Sequence, residues 1–460
     1  MNIRTNEDNI KNKKVLVVGF GRSGKAAAEE LLRRGAAVTI QDNKKESDFD
    51  ANMLTYFRDL GASFCLDRTP TAEEPFNQVI LSPGVSPELP FVQELEKHGA
   101  EITGELEIAY RISKGNFVAI TGTNGKTTTT TLVSEIFRNS GRTTFTVGNI
   151  GVAVIQDAAK AKENDWLITE TSSFQLETTK YFRPVISACL NVTPDHLNRH
   201  HTFENYAAQK AKIFRNQSAE NYFITNYEDE TCRKMAEHCA AKVVWFSSRR
   251  ELPQGAFQRD GRLILRKPDG EEIDFVGVDE LKIIGDHNVQ NALAALAIAD
   301  AAGIGTDVIR KTLREFAGVE HRLEFTAEIN GVRYFNDSKG TNTDAAETAI
   351  RAIGENILLI AGGDAKGQDF TEFVKSFPEH VKKLFFLGRD EHYIKEAAQK
   401  IGFTYITECR DMEECVRKCF EMAEPGDTVL LSPACASWDM YDNYEQRGRH
   451  FKDCVMQLER

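Results

Sequence analysis

The chain has 460 residues, 41% hydrophobic and 27% charged, with a formal net charge of −12. Such a length exceeds one core and predicts about three domains of roughly 150 residues each. The acidic balance excludes sequence-independent nucleic-acid binding, which needs a positive surface. No apolar run approaches the ~18 residues of a membrane span, so no membrane insertion is expected. The start, MNIRTNEDNIKNKK, is polar and carries no secretory pattern. Nine cysteines are scattered without a CxxC pair or metal-like cluster, and Cys415 and Cys419 share a helical face as buried thiols. A cytoplasmic protein with reduced cysteines is expected.

The first elements read VLVVGFGRSGKAAAEELLRRGAAVTIQD, from Val15 to Asp42. An apolar strand leads into Gly19, Gly21 and Gly24, then a helical pattern, then a second strand ending in Asp42. That is a dinucleotide-binding pattern: a glycine turn, a helix N-terminus for a diphosphate, an acid for a ribose. By itself it predicts an NAD(P)-dependent dehydrogenase. QVILSPG (78–84) adds another strand, and the alternation with helices predicts a parallel sheet covered on both faces.

A second α/β run opens at NFVAITGTNGKTTTTTLVSEIFRNSG (116–141) and continues through DWLITETSS (165–173) and PVISACLNVTPDH (184–196). Residues 243–283 read as a polar, antiparallel segment, and 288–303 as an Ala-rich helix. A third run begins at VRYFNDSKGTNTDAAETAI (332–350) and proceeds through ILLIAGGDAKG, KLFFLG and TVLLSPACAS. The fold class is α/β in three domains, with boundaries near 106 and 318. Residues 1–106 form a Rossmann-like domain, 107–318 a central P-loop ATPase domain with a mainly parallel sheet, and 319–460 a second Rossmann-like domain.

The glycine loop of the second run carries the stronger chemistry. In AITGTNGKTTTT, Gly122 and Gly125 let the backbone fold around phosphate oxygens, and Thr123, Asn124 and Thr128 belong to the same cradle at a helix N-terminus. Lys126 would reach the β/γ-phosphates of ATP and Thr127 could ligate magnesium. The strict P-loop pattern requires glycine at 120, where the sequence has Ile120. Glu170 follows an apolar strand, at a strand end where a carboxylate can meet the metal held at Thr127. Asp195 and His196 take the corresponding end of the next strand. An isolated acid at such a position caps a helix as often as it binds metal, but three strand ends converging on one loop favour a site.

TGTNGKTT, ETSSFQLE, NVTPDHLNRH, GDHNVQNALAA, HRLEF, NDSKGTN and LLSPACASWDMYDNYEQRG occur in this order across the chain. Together they resemble the Mur ligases, ATP-dependent enzymes that extend the peptide of peptidoglycan precursors. The C-terminal motif and the short GFGRSG start are most similar to members that join D-glutamate to UDP-N-acetylmuramoyl-L-alanine. The resemblance implies that ATP phosphorylates the terminal carboxylate of that precursor, and that the amine of D-glutamate then displaces phosphate. Two anions must meet, so cations are needed to neutralise charge. The resemblance assigns that work to Lys126 and two Mg2+ ions, one held by Thr127 and Glu170, the other with help from His196.

The same resemblance points to Lys210 in TFENYAAQKAKIF as a lysine carbamylated by carbon dioxide, its spacing from Tyr206 selecting it over Lys212. Only the neutral amine reacts, so the pKa must be lowered; without the resemblance, Lys210 reads as a solvated helix lysine. By family pattern, Asn149 faces the sugar-nucleotide phosphates, and Ser172, Ser173 and Gln175 contact the muramoyl-alanine part. Asn288 and Asn291, three apart on one helix face, could reach adenine, with Arg322 and Asp337 as ribose and phosphate contacts. Thr341, Lys366, Ser437 and Tyr444 match the amino-acid pocket, where the family often has phenylalanine in place of Tyr444. Arg22, Ser23, Asp42, Ser82, Pro83 and Gly84 of the first domain would then receive the uridine diphosphate. A monomer is expected.

Other readings are another Mur-type or folylpolyglutamate-type ligase, which SPACASWD argues against, and a dehydrogenase, which leaves Lys126, Glu170 and His196 without a role. A non-catalytic nucleotide-binding module would not need the amino-acid pocket.

Overall fold

Three sheets gather the apolar runs of the sequence. A computed structural model describes residues 10–71, 73–365 and 368–458. The chain forms two compact units: one runs to Asp279 and resumes over Gln290–Arg314, the other takes Glu280–Val289 and the chain from Glu315 onward.

In the first unit β1 (Lys14–Val18), β2 (Ala37–Asp42), β3 (Ser63–Leu66), β4 (Gln78–Leu81) and β5 (Glu101–Gly104) make an all-parallel sheet ordered β3-β2-β1-β4-β5. Val15–Val18 and Val79–Leu81 are buried on both faces, hence their continuous apolar character. The order reverses between β1 and β4, which opens a crevice at the strand ends beside the first glycine loop.

The second sheet of this unit has nine strands: β6 (Asn116–Thr121), β7 (Thr144–Gly148), β8 (Trp166–Glu170), β9 (Ile186–Cys189), β10 (Tyr222–Asn226), β11 (Lys242–Ser247), β12 (Gly255–Arg259), β13 (Arg262–Arg266) and β14 (Glu272–Gly277). Their order is β14-β13-β12-β11-β10-β9-β6-β8-β7. The antiparallel expectation for 243–283 holds for the β12–β13–β14 meander. It does not hold for β11, which runs parallel to β10. Apolar periodicity tells which faces a strand buries, not which neighbour it joins.

One apolar cluster serves both of these sheets, running from Val15 and Val17 through Tyr110, Phe117 and Phe182 to Phe223. Tyr110, Phe117 and Phe182 meet edge to face, the favoured aromatic geometry. Beside them Glu107 is buried and accepts the backbone N–H groups of Lys180, Tyr181 and Phe182. A buried carboxylate is tolerated there because its oxygens are satisfied.

The second unit holds β15 (Glu324–Ile329), β16 (Val332–Asn336), β17 (Ile357–Ala361), β18 (Val381–Phe386), β19 (Ile406–Glu408) and β20 (Thr428–Leu431), ordered β15-β16-β20-β17-β18-β19. Only β15 and β16 pair antiparallel. All nine cysteines are free, Cys415 and Cys419 among the buried ones. Among the described residues no helix is long and apolar enough to cross a membrane.

Candidate active site

The first glycine loop links β1 to the helix Arg22–Arg33. Gly19 has φ +89°, and a Cβ on Gly24 would overlap the Gly19 carbonyl oxygen. Both glycines are therefore required by the turn. Asp42 at the end of β2 accepts the Phe20 N–H at 2.8 Å and the Lys44 N–H at 3.1 Å. Ser82 Oγ donates to the Gly19 carbonyl at 2.9 Å, with Pro83 and Gly84 in the turn that follows. Asp42 and Ser82 thus hold the loop itself. Ser23 lies in the first helical turn. Arg22 reaches away from it, donating to the carbonyls of Gly151 at 2.9 Å and of Gly148 and Asn149 at 3.2 Å.

The second loop follows β6 and ends at the helix Lys126–Asn139, with Gly125 left-handed at φ +83° as its N-cap. Ile120, where the strict motif asks for glycine, is a buried sheet residue opposite Glu170 and Ala188. The turn starts two residues later at Gly122. A side chain on Gly125 would run into Asn291 Oδ1, and Asn291 also accepts a hydrogen bond from Thr129 Oγ1 at 3.2 Å. From the end of β9, Asn191 Oδ1 accepts the N–H groups of Thr123 at 3.1 Å and Asn124 at 2.8 Å. Thr123 Oγ1 donates to the Thr193 carbonyl at 3.1 Å and lies 3.1 Å from Tyr206 OH. Thr127 and Thr128 are buried in the first helical turn.

Two lysines converge on this loop. Lys126 Nζ donates to the carbonyls of Gly122 at 2.9 Å and Thr123 at 2.7 Å. Lys210 Nζ, from the helix Phe203–Ala211, donates to the same Gly122 oxygen at 2.8 Å. Burial first, and the Lys126 charge second, push the Lys210 pKa down to about 7. Lys212 points elsewhere, its Nζ donating to the Glu177 carbonyl at 2.7 Å.

Glu170 closes the same corner at the end of β8. Asn149 Nδ2 donates to its Oε1 at 2.8 Å, while Oε2 is buried without a hydrogen-bond partner among the described residues. His196 is left-handed at φ 52° and caps the helix Leu197–His200. Its ring lies 3.4 Å from the Asp195 carboxylate. Burial lowers the His196 pKa, Asp195 opposes that, and the Lys126 and Lys210 charges reinforce it. Ser172 and Gln175 form a capping box on the helix Ser173–Glu177, and Ser173 Oγ lies 3.0 Å from His200 Nε2.

In the second unit Asp337 is buried at the end of β16 and accepts Ser432 Oγ at 2.7 Å and the Leu323 N–H at 3.1 Å. Burial pushes its pKa up to about 6, opposed by Ser432 and then Arg322. The Arg322 Nε is buried without a partner among the described residues. Asn288 Nδ2 donates to the Ile284 carbonyl at 2.8 Å. Ser437 is buried, its carbonyl accepting the N–H groups of Met440 and Tyr441. Tyr444 opens the helix Tyr444–Gln457 with Lys339 Nζ 5.5 Å above its ring, and Thr341 follows Lys339 and Gly340 in the same turn. Lys366 lies outside the described residues.

Three family models match in succession: a Mur ligase MurD-like N-terminal domain over residues 13–104, the Mur ligase middle domain over 120–299, and the Mur ligase glutamate ligase domain over 321–435. A UDP-N-acetylmuramoylalanine–D-glutamate ligase of Alkaliphilus oremlandii (strain OhILAs) is 48% identical over 98% of this chain and 100% of its own length. One from Clostridioides difficile (strain 630) is 43% identical over 98% and 99%. The chain belongs to the Mur ligase family. Among solved structures, a UDP-N-acetylmuramate–alanine ligase of Thermotoga maritima superposes with TM-score 0.60 at 19% identity, over 98% of this chain and 100% of that one. A MurF ligase from the same organism, in complex with ADP, gives 0.59 at 18% identity over 98% and 97%. At these identities the likeness is one of fold: a three-domain α/β Mur ligase architecture.

Two residues of this Mur ligase escape motif reading although they stand inside the motifs. Asn191, the first residue of NVTPDH, braces the phosphate loop from 67 and 68 positions away. Arg447 is buried and donates to Ser338 Oγ at 3.0 Å, the Ser338 carbonyl at 2.9 Å and the Cys435 carbonyl at 3.1 Å. It ties NDSKG to SPACAS. An arginine within an otherwise apolar helix face was the available signal.

Proposed function

We propose that this chain joins D-glutamate to UDP-N-acetylmuramoyl-L-alanine at the expense of ATP, through an acyl phosphate. The observation that carries the reading is the meeting of Lys126 and Lys210 on the Gly122 carbonyl, with Glu170 at the end of the adjacent strand β8 keeping an oxygen that has no partner among the described residues. It is a built site for polyphosphate and cations, and family membership supplies the reaction. The precursor's carboxylate oxygen forms a bond to the γ-phosphorus as the bond to ADP breaks. The amine of D-glutamate then forms the amide bond, phosphate leaves with the C–O bond, and the amine gives up a proton. Lys126 holds phosphate charge, and the N–H groups of the first helical turn, Lys126 to Thr128, orient the nucleotide.

The unpartnered Oε2 of Glu170 fits a divalent cation, because an unsatisfied buried carboxylate oxygen is costly unless something binds it. Glu170 and Thr127 would hold one Mg2+, with His196 and Lys210 serving a second. When bound, the ions neutralise phosphate charge during transfer. Lys210 is suited to carbamylation: its neutral amine forms an N–C bond to carbon dioxide and loses a proton, turning a cation into an anion. The glycine loop at Gly19–Ser23 would receive the uridine diphosphate, with Ser172, Ser173 and Gln175 toward the muramoyl-alanine part. Asn288, Asn291, Arg322 and Asp337 would serve the nucleotide, and Thr341, Lys366, Ser437 and Tyr444 the amino acid. The division 1–106, 107–318 and 319–460 assigns one substrate to each domain of a monomeric, cytoplasmic enzyme.

The test is ADP release with UDP-N-acetylmuramoyl-L-alanine and D-glutamate, against L-glutamate, L-lysine and meso-diaminopimelate. Turnover with D-glutamate alone is expected. Turnover with a different amino acid would overturn the specificity.

A further inference from the structure

The turn between β7 and Ile155 is gripped from two directions by residues of the first sheet's domain. Arg22 donates to the carbonyls of Gly148, Asn149 and Gly151. A cation in the first turn of a helix opposes the macrodipole, so these three carbonyls account for its presence better than the helix does. From the other side, Glu105 Oε1 accepts the Ile155 N–H at 2.6 Å. Glu105 opens the helix Glu105–Ile112, is buried, and its Oε2 has no hydrogen-bond partner among the described residues. Burying a carboxylate so poorly satisfied is destabilising, and folding alone gives no reason to keep one.

The gripped turn leads to Glu170. Gly148 has φ +111°, and a Cβ there would overlap the Glu170 carbonyl oxygen. The Asn149 N–H donates to that carbonyl at 3.0 Å, and Asn149 Nδ2 donates to Glu170 Oε1 at 2.8 Å. Asn149 thereby orients the carboxylate and leaves Oε2 as the free face. The path runs Arg22 and Glu105, then the 148–155 turn, then Asn149, then Glu170.

We propose that Arg22 and Glu105 are positioning residues for Glu170, holding the 148–155 turn so that Asn149 aims the carboxylate at the nucleotide-bound divalent cation. This rests on the reading of Glu170 as a metal ligand. It ties cation affinity at the second glycine loop to the integrity of the first. Groups that orient a metal ligand from behind typically cost 10–100-fold in metal affinity when removed.

The experiment titrates Mg2+ into the full chain with ADP bound and reads cation binding directly by calorimetry, and in parallel follows ADP release at saturating ATP, precursor and D-glutamate over the same Mg2+ range. Glu105→Ala and Arg22→Met are expected to raise half-saturating Mg2+ on the order of 10-fold, with the D-glutamate KM unmoved. Glu105→Gln keeps an acceptor for Ile155 and restores the wild-type value. Asn149→Ala combined with Arg22→Met gives no more than Asn149→Ala alone, because both act through one side chain. Unchanged Mg2+ dependence in folded Glu105→Ala overturns the proposal; should that variant not fold, unchanged dependence in Arg22→Met does so. Glu170→Gln separates the two ideas: if it shifts Mg2+ dependence and the positioning variants do not, only the positioning fails. If Glu170→Gln shifts nothing, the metal reading falls and the proposal falls with it.

Discussion

The two glycine loops look alike in sequence and differ in what surrounds them. At the first, the polar side chains are turned inward: Asp42 accepts the Phe20 N–H and Ser82 donates to the Gly19 carbonyl. At the second, bracing comes from a distant amide, Asn191, and the nearby carboxylate Glu170 keeps an unpartnered oxygen. A loop whose acid serves the loop can bind a ligand through backbone N–H groups and little else. A loop beside an unsatisfied carboxylate and two lysines is equipped for charge-driven chemistry. The glycines report a phosphate-shaped turn; the satisfaction of the groups around them reports what the turn is for.

The largest effect that would sharpen this contrast is at Lys126. Lys126→Ala should reduce ADP release by about 10³-fold while leaving precursor binding in place, measured by calorimetry without ATP. Retained turnover would erase the distinction between the loops. Next comes Glu105, whose pKa is pushed up to about 7 by burial, opposed by the Ile155 hydrogen bond. The folded state holds this proton more tightly than the unfolded chain, whose value is about 4.3. Its contribution to stability is therefore full below about pH 4 and lost as pH rises through 7, a change on the order of 3 kcal/mol. Glu105→Gln cannot titrate, so urea unfolding should find the variant gaining on wild type by that amount between pH 4 and pH 8. Parallel pH profiles would refute the buried charge.

Gly24→Ala and Gly125→Ala form a matched pair, each meeting a nearby oxygen. Gly24→Ala should raise the precursor KM about 10-fold and spare that of ATP, and Gly125→Ala should do the reverse. If both raise the same KM, the loops do not serve separate ligands. The smallest effect is at Gly21, where an added Cβ has nothing within 4 Å. Gly21→Ala should stay within about 0.5 kcal/mol in stability and leave both KM values unchanged.

Local chemistry was legible in the sequence. Gly122, Gly125, Lys126 and Thr127 are read from spacing because the turn and the helix start are built from neighbouring residues. The end of an apolar run marks Glu170 for the same reason. What depends on pairing between distant segments was not legible. Asn191 acts because β9 lies beside β6, Arg447 because two loops of the last sheet meet over it, and Glu105 because a helix end is covered by another segment. The direction of β11 was misread on the same ground. Ile120 shows the reverse: a motif that fails by one residue in sequence still forms a glycine turn between strand and helix, since the strand runs to Thr121 and the bend begins at Gly122.

The shared apolar cluster of the first two sheets has a consequence for cooperativity. The family models part between residues 104 and 120, yet the cluster continues through Tyr110, Phe117 and Phe182 without a break. Evolutionary modules and folding units therefore do not coincide in this Mur ligase. The first two sheets should melt in one calorimetric transition, and a fragment ending near residue 106, stripped of the Tyr110, Phe117 and Phe182 seam, should not hold its fold alone.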